Sequence, residues 1–302
     1  MNEMNKKVLR GIIPALVTPI NEDESFNAQG MAEIIENALS RGVGGFLALG
    51  TSGEPTAWSF EERGVIVDTV IKQVNNRVPV IVGCGAPSTR ETVRLCQMAQ
   101  DKGADYLAVV TPYFITPTEE DLYIHYCEVA RHTDLPVLIY NIPQRTGICL
   151  SAALVEKLKS VPNIVGIKDS SGNFELFKEF MKLNDDKFQV IQGIDKFFLN
   201  SFKLGATAAI SGPSNSIPGN QTAIFENCVN GEIAEAQKYQ DRFMHLKEVI
   251  DLAPGPTIAK EAANIVGLHA GPPAAPLRRP EGYVHEKLIQ VMNEYFSEYF
   301  VN

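Results

Sequence analysis

The stretch IVGIKD, residues 164 to 169, decides the fold of this chain. It is a short, mostly β-branched apolar run that ends in a lysine and an aspartate, as expected for a buried strand of a parallel sheet. Because side chains alternate along a strand, Ile164, Gly166 and Lys168 share one face. Val165 and Ile167 occupy the other face. If this bulky pair packs against helices, Lys168 points into the mouth of a barrel.

Seven similar runs alternate with segments of helical periodicity up to about residue 211, a pattern typical of repeated βα units. With residues 164–168 they make eight predicted strands, the number that closes a (β/α)8 TIM barrel of the α/β class. The competing architecture is an open doubly wound sheet, which normally begins with a glycine-rich turn, and no such turn follows the first strand. The seven strands are predicted at 11–17, 45–49, 78–82, 106–110, 137–140, 188–192 and 208–211.

Strand signals stop after residue 218. The rest of the chain shows four helical segments separated by glycine and proline, at 222–230, 233–250, 257–266 and 281–296. We therefore expect residues 1–217 to form the barrel and residues 218–302 to form a C-terminal helical region packed on it.

The 302-residue chain has 27 lysines and arginines and 36 aspartates and glutamates, a net charge of −9. This charge repels nucleic acid and anionic membrane surfaces, so we expect neither as a partner and a small molecule as the substrate. Residues 1–10 lack the apolar core of a signal peptide, and no apolar stretch approaches the roughly 20 residues of a membrane span. The five cysteines form no C-x-x-C pair, which favours reduced thiols and a cytoplasmic protein.

Lys168 is the first candidate catalytic residue, because functional side chains of parallel barrels lie at the carboxyl ends of the strands. Partial burial there disfavours the ammonium form and makes the side chain a candidate amine nucleophile toward a ketone. Two other interpretations stay open on the residues alone. The lysine can extend to the rim of the barrel, or it can pair with Asp169.

Tyr140 ends the neighbouring strand with the same parity as Leu138, so it also faces the mouth, one strand away from Lys168. A phenol in that place can relay a proton between a carbinolamine and a substrate oxygen. A single aromatic residue is more often part of a core or a rim. The position beside Lys168 favours the catalytic interpretation.

The loop GTSGE, residues 50–54, places two hydroxyl residues between glycines after the second strand. Glycines let successive N–H groups converge on an anion, so the loop fits a carboxylate, and a helix cap is the alternative.

Arg145 follows Tyr140 and is a candidate for binding a second carboxylate. The alternative is a solvated or ion-paired surface arginine. The five histidines lack metal-ligand spacing, so no metal site is expected.

Three motifs together resemble the dihydrodipicolinate synthase / N-acetylneuraminate lyase superfamily, the Schiff-base pyruvate lyases. GTSGE at 50–54 looks like the pyruvate-carboxylate loop of that family, YNIP at 140–143 like its tyrosine motif, and GIKD at 166–169 like its lysine motif. The resemblance covers nearly the whole chain. It implies a (β/α)8 barrel with a C-terminal helical region, assembled as a homodimer or homotetramer.

The resemblance also implies roles for individual residues. Lys168 would form an imine with pyruvate, which requires no cofactor, and Tyr140 would relay protons. Thr51 and Ser52 would hold the pyruvate carboxylate, and Thr51 would connect to the relay. The positions that match backbone lining the pyruvate pocket are Gly193 and Ile210.

The aldehyde partner is less clearly indicated. Arg145 matches the arginine with which dihydrodipicolinate synthases bind the aspartate-semialdehyde carboxylate, and sialic acid lyases lack it. Phe114 stands where those synthases have a second tyrosine, donated across the dimer to their proton relay, and phenylalanine has no hydroxyl. The strings GPPAAPL at 271–277 and KDSSG at 168–172 look more like catabolic 2-oxo acid aldolases.

The sequence therefore favours an aldolase that makes or breaks the bond between pyruvate and an aldehyde in a 2-oxo-3-deoxy sugar acid or 4-hydroxy-2-oxo acid. The alternative is 4-hydroxy-tetrahydrodipicolinate synthase, which uses pyruvate and aspartate semialdehyde. A catalytically silent homologue that binds 2-oxo acids is a lesser alternative, because fold alone does not determine function.

Overall fold

The computed structural model describes residues 8–301. Most of the segment 1–10, on which the expectation of no signal peptide depends, therefore lies outside the described residues. Within them, eight parallel strands form one sheet, which confirms the predicted barrel. The strands are β1 (Gly11–Pro14), β2 (Phe46–Ala48), β3 (Val80–Gly83), β4 (Tyr106–Val110), β5 (Val137–Asn141), β6 (Ile164–Asp169), β7 (Gln189–Gln192) and β8 (Ala208–Ser211).

Helices follow the strands and cover the outside of the barrel. Several begin at a side-chain cap, as where Thr118 accepts a hydrogen bond from the N–H of Asp121 and Asp121 bonds back. The helices are α1 (Ala28–Leu39), α2 (Phe60–Val74), α3 (Thr89–Lys102), α4 (Glu119–Arg131), α5 (Pro143–Thr146), α6 (Ala152–Lys159), α7 (Phe174–Met181), α8 (Phe198–Lys203), α9 (Pro218–Val229), α10 (Ile233–Ile250), α11 (Gly255–Ile265) and α12 (Gly282–Phe296). The sequence pattern does not reveal α5 or α8, because each is too short to show helical periodicity.

The sheet closes on itself between its first two strands. Its order runs β1, β8, β7, β6, β5, β4, β3, β2, so each strand pairs with its neighbour in the chain and β8 returns to β1. Between β1 and β2 the N–H of Leu16 donates to the carbonyl of Leu47 at 2.9 Å, and the N–H of Gly44 donates to Ile12 at 2.7 Å. These bonds complete a ring whose carboxyl ends all face one side.

Two apolar clusters fill the fold. The inner cluster includes Ile13, Leu47, Leu138 and Ile191, which come from strands all around the barrel, so it fills the interior. The outer cluster lies between the strands and the helices. The chain therefore has the layered core of a packed barrel rather than a pore.

The predicted alternation along 164–169 is wrong at its first two residues. The register shifts where β5 pairs with β6, so that Val137 pairs with Ile164 but Leu138 pairs with Gly166. As a result Ile164 packs in the outer cluster and Val165 against the inner one. A bulge of this kind adds one residue to a strand and resets its parity. Gly166 and Lys168 still face inward.

The last four helices pack on the barrel and on each other. Helix α9 contacts β1 and α8, α10 packs on α9, and α12 packs on α10 and α11. Helix α11 also contacts the 3₁₀ turn Thr51–Gly53 at the carboxyl end of β2. The division of the chain at residue 217 stays a prediction. Within residues 8–301, no helix is both long enough and apolar enough to span a membrane.

One buried asparagine joins the chain after β8 to the chain after β1. Asn215 is 1% exposed, and its Oδ1 accepts the N–H of Val17 at 3.0 Å. Its Nδ2 donates to the carbonyl of Ala15 at 2.8 Å. Both backbone groups lie beyond the end of β1, where no neighbouring strand pairs with them. The side chain of Asn215 therefore provides the hydrogen bonds that a neighbouring strand would otherwise provide.

Replacing Asn215 by alanine is expected to lower the free energy of unfolding by about 3 kcal/mol, because a buried donor and a buried acceptor both lose their partner. Urea unfolding of the variant measures this. Asn293→Ala is the control, since its side chain bonds the carbonyl of Ile289 on an exposed face of α12 and should change stability by less than about 0.5 kcal/mol. Equal losses in the two variants would contradict the prediction.

Candidate active site

A cavity of about 380 Å³ opens at the carboxyl ends of β2 to β5. Its inner wall includes Thr51, Tyr140 and Arg145, and its outer wall includes Pro256 and residues 274–277 of the C-terminal helical region. Most of the lining side chains are apolar, and a few polar groups converge among them. Size, place and lining are those of a small-molecule site.

The structure brings Tyr140 and Thr51 into contact. Tyr140 ends β5 with its side chain 5% exposed, and Thr51 begins the 3₁₀ turn after β2. The phenol oxygen and Thr51 Oγ1 lie 3.0 Å apart, within hydrogen-bond distance. Two strands that are not neighbours thus present a continuous pair of hydroxyl groups to the cavity.

Lys168 lies beside Tyr140, as the sequence predicts. The two residues are paired in the register of β5 and β6, and Nζ of Lys168 lies 3.9 Å from the centre of the Tyr140 ring. The lysine is 4% exposed, so it does not extend to the rim. No ion pair joins it to a carboxylate of the described chain.

Asp169 does not pair with Lys168 because other groups bind it. Its carboxylate accepts hydrogen bonds from Nδ2 of Asn141 at 2.8 Å and from the hydroxyl of Ser171 at 2.9 Å. Burial raises the pKa of Asp169, and these hydrogen bonds oppose the rise. The carboxylate therefore ties β6 to β5 and leaves the lysine amine unpaired.

Gly193 leaves room for the lysine. A Cβ at this position would lie 2.0 Å from Oγ of Ser170 and 3.0 Å from Cε of Lys168, so a larger residue would displace both side chains. Lys168 contacts the site through Tyr140, and Gly193 lies beside Lys168, but neither residue lines the cavity itself.

Two predicted positions lie away from the main cavity. Ser52 lines a smaller cavity of about 80 Å³ on the far side of its turn, together with Gly212. The side chain of Ile210 is buried in the inner cluster. Turn geometry explains the first case, because consecutive residues of a 3₁₀ turn point in different directions. The structure thus brings Thr51 to the main cavity and Ser52 to the smaller one, while the role of the Ile210 backbone stays a prediction.

Arg145 lies in α5 at the mouth of the cavity, and its side chain is exposed. Among residues 8–301 no carboxylate pairs with it. The ion-paired alternative is therefore not observed, and the guanidinium is available for an anion that enters the mouth.

Phe114 departs from the other site residues. It is 96% exposed, and its φ of 77° is rare for a residue with a side chain. Tyr113 beside it lines the cavity, and burial raises the pKa of its phenol. The backbone at Phe114 thus holds one aromatic side chain in the cavity and directs the next one into solvent.

Sequence reasoning missed the role of two buried carboxylates. Asp195 follows β7 and accepts hydrogen bonds from Oγ of Ser211 and Nε2 of Gln221, both at 2.5 Å. Glu54 ends the GTSGE loop, and its carboxylate pairs with Lys260 of α11. For Lys260 the available signal was a lysine directly after the apolar residues Ile258 and Ala259 of a predicted helix. The two acidic residues resemble ordinary loop residues in the sequence.

Comparison with known proteins agrees with this geometry. A curated relative, the 4-hydroxy-tetrahydrodipicolinate synthase of Methanopyrus kandleri, is 33% identical over 272 residues, which cover 89% of this chain and 91% of the relative. The crystal structure of a dihydrodipicolinate synthase from Bacillus anthracis superimposes with a TM-score of 0.92 at 29% identity, covering 95% of this chain and 99% of the other.

A second solved structure is a prophage protein of the dihydrodipicolinic acid synthase family from E. coli K12, determined in complex with pyruvate. It matches with a TM-score of 0.91 at 31% identity, covering 95% of this chain and 98% of the other. A sequence model of the dihydrodipicolinate synthetase family matches residues 8–301. The resemblance of the three motifs is thereby confirmed, and this chain belongs to the dihydrodipicolinate synthetase family.

Proposed function

We propose that this protein condenses pyruvate with aspartate semialdehyde through an imine on Lys168, which is the 4-hydroxy-tetrahydrodipicolinate synthase reaction. The observation that carries the proposal is a buried, unpaired lysine whose Nζ lies 3.9 Å from the centre of the Tyr140 ring, while the hydroxyl of that tyrosine lies 3.0 Å from Thr51 Oγ1. The sequence placed a sugar-acid or 4-hydroxy-2-oxo acid aldolase first. The name carried by the curated relatives favours the alternative instead.

The chemistry requires an amine, a proton relay and a carboxylate site. Nζ of Lys168 adds to the ketone carbon of pyruvate, and the carbinolamine loses water to form the imine. The imine withdraws electrons from the methyl group, which loses a proton to give an enamine. The enamine carbon then bonds to the aldehyde carbon, and the aldehyde oxygen takes up a proton. The amino group of the acceptor attacks the imine carbon and releases Lys168.

Tyr140 is the proposed proton donor and acceptor in these steps. Its hydroxyl lies in the cavity, and Thr51 at 3.0 Å provides the next oxygen for the proton. Thr51 and Ser52 open the turn after β2, where the first N–H groups need acceptors from outside the turn. We assign these groups to the pyruvate carboxylate. The reaction as proposed uses no cofactor or metal.

Arg145 is the proposed binding group for the acceptor. Aspartate semialdehyde carries a carboxylate, and an unpaired guanidinium at the mouth binds such a group with two parallel hydrogen bonds. The lining of the cavity also favours a short acceptor over a polyol, because few of its side chains offer hydrogen bonds to sugar hydroxyl groups.

One observation favours the second candidate function, an aldolase for 2-oxo acids. Phe114 has no hydroxyl, so a relay that needs a second tyrosine is incomplete at this position. We propose that Tyr113 or a water molecule extends the relay from Thr51. A catalytically silent homologue is the least supported function, because Lys168, Tyr140 and Thr51 are all in place.

We further propose that the protein forms homo-oligomers in the cytoplasm. Phe114 and Ile115 are adjacent large apolar residues with exposures of 96% and 77%, which supports burial against another copy. The five cysteines are unpaired, which supports a reducing compartment.

Asp195 is buried directly after β7, the neighbour of the strand β6 that carries Lys168. Burial raises the pKa of Asp195 from 3.8 to about 6, and its hydrogen bonds to Ser211 and Gln221 oppose the rise. The carboxyl group of Asp195 therefore changes its charge near pH 6.

Reduction with borohydride in the presence of pyruvate is expected to attach a pyruvyl-derived group to Lys168, because only an imine is reduced to a stable amine. Mass spectrometry of the digested protein locates the group. Lys168→Ala should show no adduct, and the exposed Lys196→Ala is the control that keeps it. An unmodified Lys168 would reject the proposed imine.

Tyr140→Phe should lower kcat by about 100-fold, because the hydroxyl proposed to relay protons is lost.

Arg145→Ala is expected to raise KM for aspartate semialdehyde by about 10- to 100-fold, because a charge-assisted bidentate contact is lost. Pyruvate trapping at Lys168 should not change. Arg131→Ala on the exposed face of α4 is the control. Wild-type turnover of an uncharged sugar-type aldehyde together with an unaffected KM in Arg145→Ala would favour the aldolase.

Asp195→Asn is expected to remove a pH dependence of stability. The folded protein holds the proton of Asp195 up to about pH 6 and the unfolded chain releases it near 3.8, so wild-type stability falls as the pH rises between these values. The difference in unfolding free energy between wild type and the asparagine variant should fall over the same range. Urea unfolding at several pH values measures it, with Asp241→Asn on α10 as control. A difference in unfolding free energy that does not change with pH would show that the pKa of Asp195 is not raised.

A further inference from the structure

We infer that Glu54 and Lys260 are a pair of positioning residues that fixes the pyruvate-binding loop against the C-terminal wall of the cavity. The inference rests on the proposed function, because it concerns how that site is held in shape. Neither side chain is assigned a chemical step. Their effect is on the place of Thr51 on one side and of residues 274–277 on the other.

Both side chains of the pair are buried, and Glu54 lies at the wall of the cavity. Nζ of Lys260 lies 2.5 Å from Oε2 of Glu54, and the two side chains are 0% and 5% exposed. Burial lowers the pKa of Lys260, and the Glu54 carboxylate opposes this. Taking two charges out of water costs free energy that their attraction does not always recover. Because of this cost, the pair is better explained by the groups that it positions than by a gain in folding stability.

Each partner also binds the C-terminal segment. Lys260 donates to the carbonyl of Pro272 at 2.9 Å. Oε1 of Glu54 accepts the N–H of Ala274 at 2.7 Å. The segment between these contacts leads directly into residues 274–277, which line the cavity. One carboxylate and one ammonium thus tie the wall of the cavity to both the GTSGE loop and α11.

A second residue of α11 holds the start of the same segment. Nδ2 of Asn264 donates to the carbonyl of Gly271 at 2.9 Å, and its Oδ1 accepts the N–H groups of Ala270 and Gly271. The segment has no regular secondary structure. Side chains of α11 therefore replace the backbone pairing that a strand or helix would provide.

The loop itself depends on Glu54 for its shape. Glu54 has a φ of 51°, in the left-handed region that residues with side chains rarely adopt. Such a conformation persists where surrounding contacts hold it. The ion pair and the Ala274 contact supply them, only three residues after Thr51. Movement of Glu54 is therefore expected to move the groups proposed to bind the pyruvate carboxylate.

Removing the pair without leaving a lone buried charge tests the inference. Glu54→Gln/Lys260→Met is expected to recover most of the thermal stability that either single substitution loses. KM for pyruvate and KM for the acceptor should both stay raised by about 10-fold, with kcat changed by less than about 3-fold. Glu54→Asp, which keeps the charge but shortens the side chain, should fold and show a smaller rise in both KM values.

The control is Glu248→Gln/Lys287→Met, which removes a more exposed pair in the C-terminal helical region and should leave both KM values unchanged. Wild-type KM values in the double variant would overturn the inference and make the pair structural only. If the double variant fails to fold, wild-type KM values in Glu54→Asp would overturn it equally.

Titration calorimetry with pyruvate separates this inference from the proposed function. Pyruvate binding depends on the loop and requires no turnover. If borohydride gives no adduct in the wild type but the double variant still binds pyruvate about 10-fold more weakly, the imine is rejected and the positioning pair is retained. Equal pyruvate affinity in the two proteins would overturn the positioning pair.

Discussion

Parallel pairing of β5 with β6 sets Tyr140 directly beside Lys168, and the rest of the site depends on this register. A bulge at the start of β6 resets the parity of the strand, so that the lysine points inward although Ile164 points outward. Closure of the barrel then brings the turn after β2 across the mouth, where Thr51 reaches the Tyr140 hydroxyl. Three chemical groups from distant parts of the chain meet because eight strands share one direction.

The buried carboxylates around this centre accept hydrogen bonds from side chains other than Lys168. Asp169 is bound by Asn141 and Ser171, and Asp195 by Ser211 and Gln221. Each carboxylate is near the amine in the sequence or in space, yet neither forms an ion pair with it. These hydrogen bonds join β5 to β6 and the turn after β7 to β8, on both sides of the reactive group.

The wall of the cavity is shared between the barrel and the C-terminal helices. The inner part carries the groups proposed for pyruvate, and the outer part comes from a segment without regular structure that α11 holds in place. The residues of the outer segment thus take part in the site although they lie outside the barrel strands.

Much of this protein was determined by the sequence alone. Local apolar patterns predict the eight strands and the inward direction of Lys168 and Tyr140, and three short motifs indicate the family. Such features are readable in the sequence because each depends only on residues that are close together in the chain. Only the tertiary structure decided that Ser52 lines a second, smaller cavity, that Asp195 is buried against Ser211 and Gln221, and that Glu54 pairs with Lys260. The physical reason is distance along the chain: Glu54 and Lys260 meet because α11 packs across the turn after β2, and no local pattern encodes that contact.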